Sequence, residues 1–133
     1  MKELTVGQSV SVSKTIVESD VYNFAEIVGD FNYIHINKEK AKESVFGDRI
    51  AHGMLIAGLI SSVIGTKLPG EGTIYMEQNL KFKAPVYFDN TVTVIVTVVQ
   101  IIDKKRGIYK LETIVKNQNN IVVIEGSSIV IYA

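Results

Sequence analysis

The chain has 133 residues, 47% hydrophobic and 21% charged, with 14 Lys plus Arg balanced by 14 Asp plus Glu and no cysteine. That length suits one domain spanning 1–133, and the composition can bury a core, which excludes a disordered or fibrous chain. Zero net charge leaves no bulk field for nucleic acid, the missing cysteines exclude disulfides, zinc–thiolate sites and a thiol nucleophile, and two histidines, His35 and His52, are too few for a three-histidine metal site.

Taken in chain order, Met1 to Ser13 lacks the charged-then-apolar layout of a signal peptide, so a cytoplasmic protein is expected. Val10 to Ser13 alternates as a short opening strand. Ser19 can cap a helix that carries Val21, Phe24, Ala25 and Val28 on one face and stops at Gly29. Asn37 can cap a second, more polar helix over Lys38 to Ser44. Ala51 to Gly65 carries no charge and is apolar nearly all round. It is shorter than the ~20 residues a membrane span needs, so it reads as a helix buried on nearly every side.

The second half reads as strands: Thr73 to Phe82, Thr91 to Ile102, Ile108 to Val115 and Ile121 to Tyr132. Asp103-Lys104-Lys105-Arg106-Gly107 and Asn117-Gln118-Asn119-Asn120 are turns, the first a solvated, charged one. Short turns argue for an antiparallel sheet. An antiparallel sheet wrapped around one apolar helix is an α+β layout that resembles the hot dog fold. Its open edges point to pairing with a second copy.

Two stretches carry chemistry. In Gly29-Asp30-Phe31-Asn32-Tyr33-Ile34-His35 a carboxylate, an amide and an imidazole follow a helix stop. A carboxylate and an imidazole that converge can hold one water and move its proton. Asp30 and His35 could equally make only local hydrogen bonds. His52-Gly53 opens the apolar helix, where free N–H donors and a partial positive charge can polarise a carbonyl. Gly53 could instead serve close packing, and His52 reads as a capping or structural residue. Combined, the two features suit addition of water across a double bond conjugated to a carbonyl. No Gly-x-Ser-x-Gly elbow and no phosphate-loop spacing is present.

Asp30, Asn32, Ile34 and His35 at this spacing resemble the signature of the (R)-specific enoyl-CoA hydratases, the MaoC-like or hydratase 2 family, in its short single-domain form. The resemblance continues through His52-Gly53-Met54-Leu55, Gly72-Thr73-Ile74-Tyr75 and Leu80-Lys81-Phe82-Lys83-Ala84-Pro85-Val86. Tyr33 stands where the family usually has Pro. The resemblance implies reversible hydration of a trans-2-enoyl-CoA to (R)-3-hydroxyacyl-CoA. Asp30 and His35 would grip the water, the Gly53 N–H would be the oxyanion donor, and Asn32 would support the loop. It also implies that Ser61 lies near the catalytic loop and the acyl pocket, and that Ile64 and Ile129 bound that pocket and favour short chains. No metal and no cofactor beyond the coenzyme A of the substrate is implied, and the partner is a second copy of the chain. The rivals are a 3-hydroxyacyl carrier-protein dehydratase, a thioesterase of the same fold, and a non-catalytic acyl-CoA binding module.

Overall fold

The computed structural model describes residues 3–133. Five strands, β1 (Ser9–Thr15), β2 (Ile74–Phe82), β3 (Thr91–Asp103), β4 (Ile108–Lys116) and β5 (Val122–Ile131), form one sheet in the order β1-β3-β4-β5-β2. Every pairing is antiparallel. Four helices precede β2: α1 (Glu18–Val28), α2 (Tyr33–Ile36), α3 (Lys38–Lys42) and α4 (Gly53–Thr66).

Period-two patterning sets the faces of the sheet. Val92, Val94, Val96 and Val98 of β3 are buried and alternate with half-buried neighbours. Their register partners on β4 include Val115, Thr113 and Leu111, buried on the same face. Against this face lies α4, whose Ile56, Ile60, Val63 and Ile64 are buried at helical spacing. Each such side chain taken fully out of water contributes about 1.5–3 kcal/mol.

Several features differ from expectation, among them Val28, expected on the apolar face of α1 but 54% exposed. Helix α1 begins at Glu18, and its cap is made by Asp20, whose carboxylate accepts the Val17 N–H at 3.0 Å, not by Ser19. Helix α4 is not covered on every side: Met54, Gly58, Ser61, Ser62 and Gly65 are exposed along one face. Strand β2 precedes β3 in sequence but lies at the far edge, so residues 83–90 cross the molecule between them. That crossing runs beside the entry to α4: the Ala51 N–H donates to Val86 O at 2.7 Å, and Ile50 bridges Tyr87. The segment leading into α4 is thereby fixed from outside the helix.

The two sheet edges differ in character. On β1, Ser9, Ser13 and Thr15 hydrogen-bond to Thr97, Thr93 and Thr91 of β3 at 2.9, 2.7 and 2.7 Å, a ladder of hydroxyls across the pair. On β2, Ile74, Tyr75, Met76 and Phe82 are exposed.

Candidate active site

The site begins where α1 stops. Gly29 adopts the left-handed conformation at φ 76°, and the N–H groups of Gly29 and Asp30 both return to Ala25 O, at 2.8 and 3.0 Å. The chain then turns by its own short polar side chains. Asp30 Oδ1 accepts the Asn32 N–H at 3.2 Å, and Asn32 Oδ1 accepts the Ile34 N–H at 3.3 Å, capping α2. The sequence alone did not reveal the single helical turn that follows. Tyr33 is its first residue, a position that suits proline because no helical acceptor awaits its N–H. Asn32 makes the turn with Tyr33 in place.

His35 lies within that turn and is 8% exposed. Its Nδ1 is 2.8 Å from Ile50 O, and a carbonyl can only accept, so Nδ1 carries the hydrogen and Nε2 presents a bare lone pair. Burial is the largest influence on this imidazole and holds its pKa below the ordinary histidine value; the Ile50 carbonyl opposes that shift, His52 adds to it, and Asp30 opposes it. The buried ring is therefore a proton acceptor near neutral pH.

Asp30 is exposed, and its carboxylate lies with the ring nitrogens of His35 and His52 in one cluster, all within 4.8 Å of one another. One carboxylate and two imidazoles are a donor set a metal ion can use. Here the two rings stack at 3.8 Å with 26° between their planes. One nitrogen of each ring is already bonded to a backbone carbonyl, which leaves His35 Nε2 and His52 Nδ1 as the free ring nitrogens. The Asp30 carboxylate and the free Nε2 of His35 are close enough to hold one water between them.

Gly53 is the first residue of α4, so its N–H and that of Met54 have no acceptor within the helix. A side chain at 53 would fill this approach: a Cβ there would lie 2.7 Å from Cε1 of Phe82. Asp30, His35, His52, Gly53, Met54 and Phe82 line a cavity of about 270 Å³. Gly53 and Phe82 also line a second, mostly apolar cavity of about 350 Å³, bounded by Phe46, Ile56, Val86 and Ile124.

A carboxylate–imidazole pair facing the open N-terminus of a buried helix is the arrangement the sequence motifs implied. The family model described as "MaoC like domain" matches residues 2–120. The chain belongs to the MaoC-like domain family. A relative from Rhodospirillum rubrum, described as "(R)-specific enoyl-CoA hydratase", is 48% identical over 130 residues, covering 97% of this chain and 88% of its own. A "3-hydroxybutyryl-CoA dehydratase" from Methylorubrum extorquens is 48% identical over 105 residues, covering 79% of this chain and 67% of its own. Among solved structures, the (R)-hydratase from A. caviae involved in PHA biosynthesis superimposes with a TM-score of 0.95 at 34% identity, covering 100% of both chains. The sheet-on-helix architecture is thus the hot dog fold of MaoC-like proteins.

The remaining residues singled out in the sequence lie elsewhere in this MaoC-like chain. Ser61 is on the exposed face of α4, two turns from Gly53. Ile64 is sealed in the core. Ile129 alternates with buried Ser128 and Val130 and pairs in register with Glu77 and Lys110. It therefore projects from the sheet face opposite α4. None of the three lines either cavity beside Gly53; the walls there are Phe82, Phe46, Ile56 and Ile124 instead. Two features of the site were missed in the sequence. One is the Ile50 carbonyl that orients His35. The other is the stacking of the His52 ring on His35, which the capping-or-structural reading of His52 did not specify; that ring makes no capping bond although it stands at the N-cap of α4.

Proposed function

We propose that the chain catalyses reversible hydration of a trans-2-enoyl-CoA to (R)-3-hydroxyacyl-CoA. The observation that carries this reading is the clustering of the Asp30 carboxylate and the His35 imidazole beside the N-terminus of α4. Water is held by the carboxylate and the bare Nε2 of His35. As its oxygen bonds to C3, one proton passes to the Asp30–His35 pair. The π electrons move through C2 to the thioester oxygen, where the Gly53 N–H and the positive end of α4 stabilise the enolate. C2 then takes a proton from the pair, which completes addition of water. Elimination is the same path reversed. The step uses only groups of this chain, and we assign it no cofactor beyond the coenzyme A of the substrate.

We propose further that the working form is a homodimer in the cytoplasm. Exposed β2 presents an unpaired edge, and the uncovered face of α4 carries small residues that allow close approach. Among the described residues no helix is long and apolar enough to cross a membrane.

The decisive test is loss of enoyl-thioester absorbance with crotonyl-CoA, followed by oxidation of the product with a stereospecific dehydrogenase. An (R)-3-hydroxybutyryl product is expected. Release of free thiol would make the chain a thioesterase. Turnover only on acyl carrier protein would move the substrate, and binding without turnover would remove the reaction.

A further inference from the structure

His52 is the one titratable side chain of the cavity to which the hydration scheme gives no task. It is 2% exposed and stands at the N-cap of α4, yet its ring donates nothing to the helix. Its Nε2 is 3.0 Å from Asp30 O, and since a carbonyl accepts, Nε2 carries the hydrogen. Its Nδ1 is buried with no partner. One face of the ring stacks on His35, and the ring also packs against Phe24 of α1 at 4.9 Å and 57°. The charged or titratable groups facing it are therefore Asp30 and His35, and Phe24 contributes only apolar contact. A capping histidine would bond the first turn of its own helix. This one instead reaches back 22 residues to the main chain of one member of the pair and lies flat on the other.

We propose that His52 is a positioning residue for the hydration: its Nε2–H holds the main chain of Asp30 and its ring face holds His35, so that carboxylate and imidazole converge on one water. It touches neither water nor substrate in this role. The inference rests on the hydratase reading for its catalytic consequence, and on the geometry alone for its effect on His35. That effect has a direction, because His52 is among the influences that hold the His35 imidazole towards its neutral form.

The two functions of the ring separate in two variants. His52→Gln keeps an N–H donor and loses the stacked face. His52→Phe keeps the face and loses the donor. Each is checked for a native-like thermal melt and then measured for kcat and KM on crotonyl-CoA. Side-chain NMR of the free protein gives the titration of His35. In His52→Phe, kcat falls about tenfold to a hundredfold with KM within roughly threefold, the signature of misplaced catalytic groups and not of lost substrate contacts. His52→Gln recovers part of that loss. In both variants the His35 titration moves to higher pH, and the acidic limb of the pH–rate profile moves with it. A His52→Phe enzyme with kcat within twofold of wild type overturns the proposal. So does a His35 titration that is unmoved in both variants, which would reduce His52 to core packing. If wild type fails to hydrate any enoyl thioester, the hydratase reading falls separately, and the His35 titration alone decides the link between the two rings. If His52→Phe does not fold, the His52→Gln titration carries the same decision.

Discussion

Asp30 can be tested without disturbing the loop that holds it. Its Oδ1 accepts the Asn32 N–H, and an asparagine side chain can accept the same bond. Asp30→Asn should therefore leave the melting temperature near wild type while kcat falls by about 10²–10⁴, the range for a lost acid/base group. His35→Ala should lower kcat comparably, and it also leaves the Ile50 carbonyl without its donor. The pH dependence follows from the same burial. The folded-state pKa of His35 lies below its ordinary value of 6.5, so the unfolded chain binds more protons between the two. Stability from this residue is present above 6.5, declines as pH falls through the window beneath it, and levels off below the folded midpoint. Chemical denaturation across that window should show the decline in wild type and lose it in His35→Gln. Much of the pair was legible because Asp30, Asn32 and His35 are close in sequence and their own side chains build the turn. Their long-range partners were not, because the carbonyls of Ile50 and Asp30 are main-chain acceptors that every residue possesses.

At the scale of elements, two positions set what the site can admit and what the sheet can tolerate. Phe82 ends β2 as a wall common to the catalytic cavity and the apolar one, and the residue is 53% exposed. Removing it joins the two spaces. Phe82→Ala should raise kcat/KM on a medium-chain enoyl-CoA relative to crotonyl-CoA by about tenfold or more, given that a methylene or two in an apolar pocket discriminates by that order. A series of enoyl-CoA chain lengths reads the change directly. Gly126 sits in β5 opposite Leu80 and Thr113, where a Cβ would lie 1.9 Å from the backbone oxygen of Asn79. Backbone cannot swing aside as a side chain can, so Gly126→Ala should destabilise by at least about 1–3 kcal/mol in urea unfolding. Elements were legible where local rules act: the left-handed stop at Gly29, the Asn37 side chain bonded to Lys40 N, the valine alternation of β3. They were less legible where a face depends on a distant partner. Ile129 follows the sheet register, which no local pattern in β5 specifies. The cap of α1 fell to Asp20 over Ser19 because a carboxylate at the third helical position can reach back to the N-cap N–H.

For the whole molecule, the open question set by the fold is what covers β2 and the bare face of α4. Strand order places β2 at the edge with its outer side unpaired, and Met76 is exposed there at the register irregularity between Tyr75 and Glu77. Antiparallel addition of a second β2 would continue the sheet and cover the β2 edge of both copies, leaving the β1 edges outermost, whereas packing of α4 against α4 would bury Gly58 and Ser61 without using the strands. Charge separates these routes. Met76→Lys places an ammonium on the strand edge and leaves α4 untouched; Gly58→Arg does the reverse, at a glycine where a Cβ has open space around it. Light scattering of the purified chain should give twice the mass of 14.7 kDa for wild type. Met76→Lys should shift it towards one copy at micromolar concentration if the strands pair, with the β3–β4–β5 core retained by circular dichroism. If Gly58→Arg dissociates the dimer and Met76→Lys does not, the helices hold the copies together. In either case activity should fall together with the loss of dimer only if the second copy completes a wall of the acyl site. That is how Ser61, remote from both cavities of its own chain, could still lie near the substrate.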